Sequence, residues 1–142
     1  MEGLRHLTDD QRGQLLQLAD TVSVPAGTVI IEEDRPAPGI VLVLGGTVAI
    51  EKNHLGSRVP VDELPAGELV GEISYLLEAG ATASVVAQDD VRLAVIPTAS
   101  LDRLVESDPV FARNLFRSWA EVLARRLVRR TGDVVGMHWS WG

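Results

Sequence analysis

The chain has 142 residues, of which 46% are hydrophobic, and carries a formal net charge of -7; that length and apolar content describe one folded domain with a real core and exclude a disordered chain. The charge is uneven, because residues 1–100 hold six basic and fifteen acidic side chains, a balance of -9, while residues 101–142 hold seven and five, a balance of +2. An acidic body excludes a broad nucleic-acid-binding face, and the absence of cysteine excludes disulfides, thiolate catalysis and cysteine metal sites.

The start, Met1-Glu2-Gly3-Leu4-Arg5-His6, has no apolar h-region, so no secretory signal is expected. Thr8-Asp9-Asp10-Gln11 reads as a capping box, a hydroxyl followed three residues on by a glutamine. Leu15, Leu16, Leu18 and Ala19 recur at helical spacing behind it and predict a helix over about residues 8–20. Short β-branched runs follow at Val22–Val24, Thr28–Glu32, Ile40–Leu44, Thr47–Glu51, Val59–Leu64, Thr82–Ala87 and Val91–Ile96. Turn residues separate them, and the tripeptide Pro-Ala-Gly opens two of the segments, ending at Gly27 and at Gly67. That repeat reads either as two similar halves of a roll or as a common turn used twice. The longest nearly apolar run, Gly39 to Ile50, is too short to span a bilayer and reads as a buried strand. A cytoplasmic protein with no membrane span is therefore expected.

The last third is helical by pattern. Thr98–Glu106 predicts a short helix, and Asp108-Pro109 supplies an N-cap and first helical residue for a longer one. Phe111, Leu115, Trp119, Val122, Leu123 and Leu127 form its apolar stripe, and Gly132 is the expected C-cap. The expected fold class is α+β, mainly β. It is an antiparallel β-roll of the jelly-roll kind over about residues 21–97, with an N-terminal helix, C-terminal helices over about 98–131 and a tail at 132–142. All of it forms a single domain spanning residues 1–142.

The most informative stretch is Val70-Gly71-Glu72-Ile73-Ser74-Tyr75-Leu76-Leu77, followed by Ala81-Thr82-Ala83-Ser84-Val85-Val86-Ala87. A glycine and a glutamate open a short helical turn, and a small-residue loop leads into a strand. This layout suits a phosphate cradled by backbone N–H groups beside a carboxylate that holds a sugar hydroxyl. The order of elements, with Gly27, Gly46, Gly67 and Gly71-Glu72 at their spacing, resembles the cyclic nucleotide-binding domain family, in its cyclic AMP receptor protein-like sensor form, over about residues 4–130. Asp34 falls where the family usually has another glycine, and aspartate tolerates left-handed backbone better than most residues.

The resemblance implies a cyclic nucleotide, cyclic AMP or cyclic GMP, as ligand. It assigns Gly71 to the cassette turn, Glu72 to the ribose 2′-hydroxyl, and the backbone N–H groups of Ile73 and Ser74 to the cyclic phosphate. The family's phosphate-pairing arginine falls on Ala81, with Thr82 and Ala83 in the next two places. The cassette is therefore degenerate, and a substitute cation would have to come from elsewhere in the fold, from the C-terminal helix or from a partner chain. Glu72 reads equally as a cap on its own helix. Thr82 and Ser84 read as strand residues facing solvent or a neighbour, and Tyr75 as a packing residue. Arg113, Arg117, Arg125, Arg126, Arg129 and Arg130 form either a solvated face or a partner or anion contact. Trp119 reads as core or dimer interface. Trp139 and Trp141 belong to a lid, a partner anchor or a mobile tail.

In transcriptional members of the family the long helix leads into a DNA-binding domain. Eleven residues follow Thr131 here, so direct DNA binding is not expected. His6, His54 and His138 are dispersed, and no nucleophile elbow or Walker loop is present, so no enzyme and no metal site are expected. Two functions remain. One is a stand-alone regulatory sensor in signal transduction, acting with a protein partner or as a homodimer through the C-terminal helix. The alternative is an interaction or oligomerisation module of the same fold that binds no nucleotide.

Overall fold

The computed structural model describes residues 2–133, and side chains as far as Arg129. Expectations for His138, Trp139, Trp141 and the Arg130 side chain lie outside the described residues. A 3-10 turn at Glu2–Leu4 precedes helix α1, Asp9–Gln17. The strands are β1 Asp20–Val24, β2 Val29–Ile31, β3 Gly39–Gly45, β4 Thr47–His54, β5 Ser57–Pro65, β6 Leu69–Val70, β7 Ser84–Ala87 and β8 Val91–Pro97. Helix α2, Glu72–Leu77, interrupts the strands, and α3 Thr98–Ser107 and α4 Pro109–Asp133 close the chain.

The strands form two antiparallel four-stranded sheets in the orders β1-β8-β3-β6 and β2-β7-β4-β5, which is the expected jelly-roll-like architecture. Strand β3 explains the apolar run seen in the sequence. It is covered on both faces, so its alternate residues enter different cores. Ile40 and Leu42 face the helices with Leu15, Leu101, Phe111, Leu115 and Trp119. Val41 and Val43 lie between the sheets with Ile31, Val48, Val85 and Leu93.

The stripe Phe111, Leu115 and Trp119 is thus spent inside the domain, each residue at most 1% exposed, which settles Trp119 as core. Leu127, at the far end of the same stripe, is 63% exposed. The capping box is present, with Gln11 N–H donating to Thr8 Oγ1 at 3.2 Å and Thr8 N–H to Gln11 Oε1 at 3.0 Å. The helix stops at Gln17 rather than near residue 20, because Asp20 is captured by pairing with Val95 on β8. Asp108 caps α4 through Phe111 N–H at 3.0 Å. Helix α4 runs through Gly132 instead of ending on it. Asp34 adopts φ 66°, the left-handed backbone expected of a residue standing in for glycine.

Candidate functional site

Strand β6 delivers the chain to the cassette. Its two residues pair with β3, Leu69 with Leu42 and Val70 with Val41. Gly71 then turns at φ 95°, where a Cβ would stand 2.6 Å from the Gly39 carbonyl oxygen. Only glycine fits this turn, both for its left-handed backbone and for the close approach. Helix α2 starts at once, its first bond running from Tyr75 N–H to Gly71 O at 3.1 Å. The N–H groups of Glu72, Ile73 and Ser74 therefore have no partner within the helix. The Ser74 hydroxyl is committed elsewhere, donating to the Ala79 carbonyl at 2.5 Å and closing the end of the helix.

Glu72 is not a helix cap. Its residue exposure is 5%, and Oε1 accepts from Arg126 Nη1 at 3.0 Å. Oε2 is buried with no hydrogen-bond partner. Arg126 comes from α4, 54 residues further along the chain, and is itself 32% exposed. Among the described residues it is the arginine of α4 that reaches the cassette. Arg117 and Arg125 sit in surface pairs with Glu121 at 3.9 and 3.6 Å.

The loop after α2 is fixed by backbone bonds. Ala81 N–H donates to Arg35 O at 2.9 Å, and Asp34 N–H donates to Ala81 O at 2.8 Å. The Ala81 side chain belongs to the core between the sheets at 7% exposure. Ser84 faces a neighbour rather than solvent, because it is buried and its Oγ accepts from Glu33 N–H at 3.0 Å. Thr82 is exposed, and its carbonyl receives Lys52 Nζ at 2.5 Å. Lys52 also pairs with Glu33 Oε1 at 2.9 Å. That hydrogen bond, with a second from Asn53 N–H, holds the Glu33 carboxyl below the usual carboxylate range.

These pieces enclose a cavity of about 710 Å³. All seven residues expected from the sequence line it: Gly71, Glu72, Ile73, Ser74, Ala81, Thr82 and Ala83. The floor is the inner face of the second sheet, including Ile31, Ile50, Leu64 and Val85, and α4 covers one side with Leu123, Arg126 and Leu127. The polar groups are few and placed at separate points, the pattern of a small-molecule site. Tyr75 stands away from the cavity and packs as expected. Its ring meets Trp119 edge-on at 5.8 Å and 79°, and its hydroxyl donates to Asp102 Oδ1 at 2.6 Å. Burial first, then that bond and the charges of Asp102, Glu106 and Glu78, push the Tyr75 hydroxyl above its ordinary range.

Sequence reasoning did not single out Lys52. It is the only lysine in the chain and lies on a strand otherwise apolar toward the cavity, which was the available signal. The pairing of Arg126 with Glu72 was not readable from spacing. Among the described residues no group of three or more histidine, aspartate or glutamate side chains could hold a metal. No helix among them is long and apolar enough to cross a membrane.

Comparison with known proteins gives a consistent result. The family model described as the cyclic nucleotide-binding domain matches residues 21–108. A cyclic AMP receptor protein of Thermus thermophilus is 35% identical over 104 residues, which is 72% of this chain and 46% of that protein. A cAMP-dependent protein kinase regulatory subunit of Pyricularia oryzae is 29% identical over 114 residues, 80% of this chain and 29% of that one. The crystal structure of the Thermus thermophilus catabolite activator protein superposes with a TM-score of 0.79 at 27% identity, over 97% of this chain and 63% of that chain. The chain spans less than half the length of these curated relatives.

Proposed function

The chain belongs to the cyclic nucleotide-binding domain family, and we propose from that membership that it is a regulatory domain that holds cyclic AMP or cyclic GMP in the cavity beneath α4. The observation that carries this reading is Glu72. One of its oxygens is tied to Arg126 of α4, and the other is buried without a donor, on a residue that lines the cavity. A buried carboxylate oxygen with no hydrogen bond costs free energy. The ribose hydroxyl of a cyclic nucleotide donates at that point and removes the cost. Ligand and closing helix then share a single carboxylate, so occupancy of the cavity biases the position of α4. Leu123 and Leu127 of the same helix line the cavity and move with it.

The cassette is degenerate at Ala81, and the missing cationic partner lowers affinity by about 2–5 kcal/mol relative to a site that has it. Calorimetric titration with both nucleotides, up to millimolar concentration, tests the reading. Saturable binding that weakens at least tenfold in Glu72→Gln is expected, and no binding of either nucleotide refutes it.

Ala81 also favours a second reading, an interaction module of this fold that takes no nucleotide. In both, α4 offers a partner or a second copy its outer surface. Val128 is 69% exposed there, whereas Phe111, Leu115 and Trp119 are spent in the core. A strict monomer in sedimentation at high concentration removes the homodimer.

A further inference from the structure

We propose that Lys52 supplies the positive charge that the cassette lacks at Ala81, holding the phosphodiester of a cyclic nucleotide from the sheet side of the cavity. The inference rests on the nucleotide reading given above. Alternation along β4 sets the position. Val48 is fully buried between the sheets, and Ile50 and Lys52, at the next two alternate places, line the cavity. An ammonium on such a face needs acceptors and water to meet it. Lys52 has both, since its side chain is 50% exposed and its ammonium bonds Glu33 Oε1 at 2.9 Å and the Thr82 carbonyl at 2.5 Å.

Those two bonds locate the charge at the cassette. Thr82 directly follows Ala81, and residue 33 bridges to residue 81 between neighbouring backbones. The ammonium therefore stands against the segment from which the family's arginine would project. An ammonium carries three donors, and these two acceptors leave one for a ligand oxygen. Glu33 acts as a positioning residue. Its Oε2 is fixed by Asn53 N–H at 2.8 Å and its Oε1 by Lys52, and the side chain is only 13% exposed. Because Glu33 offsets part of the charge, Lys52 is a weaker anchor than an unpaired arginine. Arg126 does not serve the same end of the cavity, as its Nη1 is bound to Glu72. The two cations thus flank separate features, Arg126 beside the carboxylate and Lys52 beside the loop at residues 81–83.

The test compares cyclic AMP with adenosine, which lacks the phosphate, by calorimetry on the full chain. Wild type is expected to favour cyclic AMP by roughly tenfold, equal to about 1.4 kcal/mol. Lys52→Met abolishes that preference by weakening cyclic AMP more than adenosine, and adding Ala81→Arg to Lys52→Met restores it. A cooperative thermal melt and a wild-type far-ultraviolet circular dichroism spectrum certify each variant as folded, and Lys52→Gln replaces the methionine variant if that one does not fold. Equal affinity of wild type for the two ligands, or a preference that survives Lys52→Met, overturns the role of Lys52. The nucleotide reading itself still stands in that case if Glu72→Gln weakens both ligands. A wild type that binds neither ligand refutes the nucleotide reading and this inference with it.

Discussion

Replacing Arg126 by methionine should destabilise the domain through Glu72 rather than through α4 itself. Glu72 is 5% exposed, one oxygen is held by Arg126 at 3.0 Å, and the other has no partner. Arg126→Met leaves a buried carboxylate with neither oxygen bonded. Removing one member of a fully buried ion pair costs roughly 3–5 kcal/mol. Arg126 is 32% exposed, so water reaches the pair from one side and the cost falls to about 2 kcal/mol. For a domain of this size that corresponds to a drop in Tm of about 6–8 °C. Glu72→Gln removes the buried charge and should cost about 1 kcal/mol. The double variant should then be no worse than Glu72→Gln alone, giving a coupling of about 2 kcal/mol. Urea denaturation of the four proteins, with equal m-values, measures the cycle. An Arg126→Met protein within about 0.5 kcal/mol of wild type and no coupling would refute the claim that this pair latches α4 to the cassette.

Three further outcomes follow from the same geometry. Ala81→Arg places a guanidinium in the cavity beside the loop and should tighten cyclic AMP binding by roughly thirtyfold to several thousandfold, measured by calorimetry; unchanged affinity would mean that no phosphate lies near residue 81. Gly71→Ala forces a Cβ to within 2.6 Å of Gly39 O at φ 95° and should cost about 2 kcal/mol of stability in denaturant, so a variant as stable as wild type contradicts the close approach. Glu33 is held below the usual carboxylate range, chiefly by Lys52, so its stabilising effect is complete at neutral pH and is lost as pH falls through its lowered value. Thermal melts from pH 7 into the acid range should therefore fall less steeply in Lys52→Met than in wild type, and parallel curves would dismiss the contribution.

Much of the fold was legible because it rests on local chemistry. The capping box at Thr8 and Gln11, the Asp108-Pro109 start of α4 and the doubly apolar β3 each announce themselves within a few residues. The cassette was legible through the family resemblance, carried by Gly27, Gly46, Gly67 and Gly71-Glu72 at their spacing. What failed depended on distant partners. Strand β6 is two residues long and exists because β3 offers it a ladder. Helix α1 ends early because β8 claims Asp20. The apolar stripe of α4 gave no sign that Phe111, Leu115 and Trp119 would turn inward while Leu127 stayed exposed. Lys52 and Arg126 were hidden most completely, because a charged side chain carries no periodicity that names its partner 30 or 54 residues away.

The central claim is that a cyclic nucleotide lies on Glu72 and is felt by α4. An amide NMR titration with cyclic AMP reads both ends of that claim at once. The amides of Glu72, Ile73 and Ser74 and those of residues 122–129 should shift together along one saturation curve, and in Arg126→Met the α4 response should shrink to the surroundings of Leu123 and Leu127, which line the cavity themselves. Shifts absent at millimolar nucleotide, or cassette shifts with α4 unmoved, would contradict it.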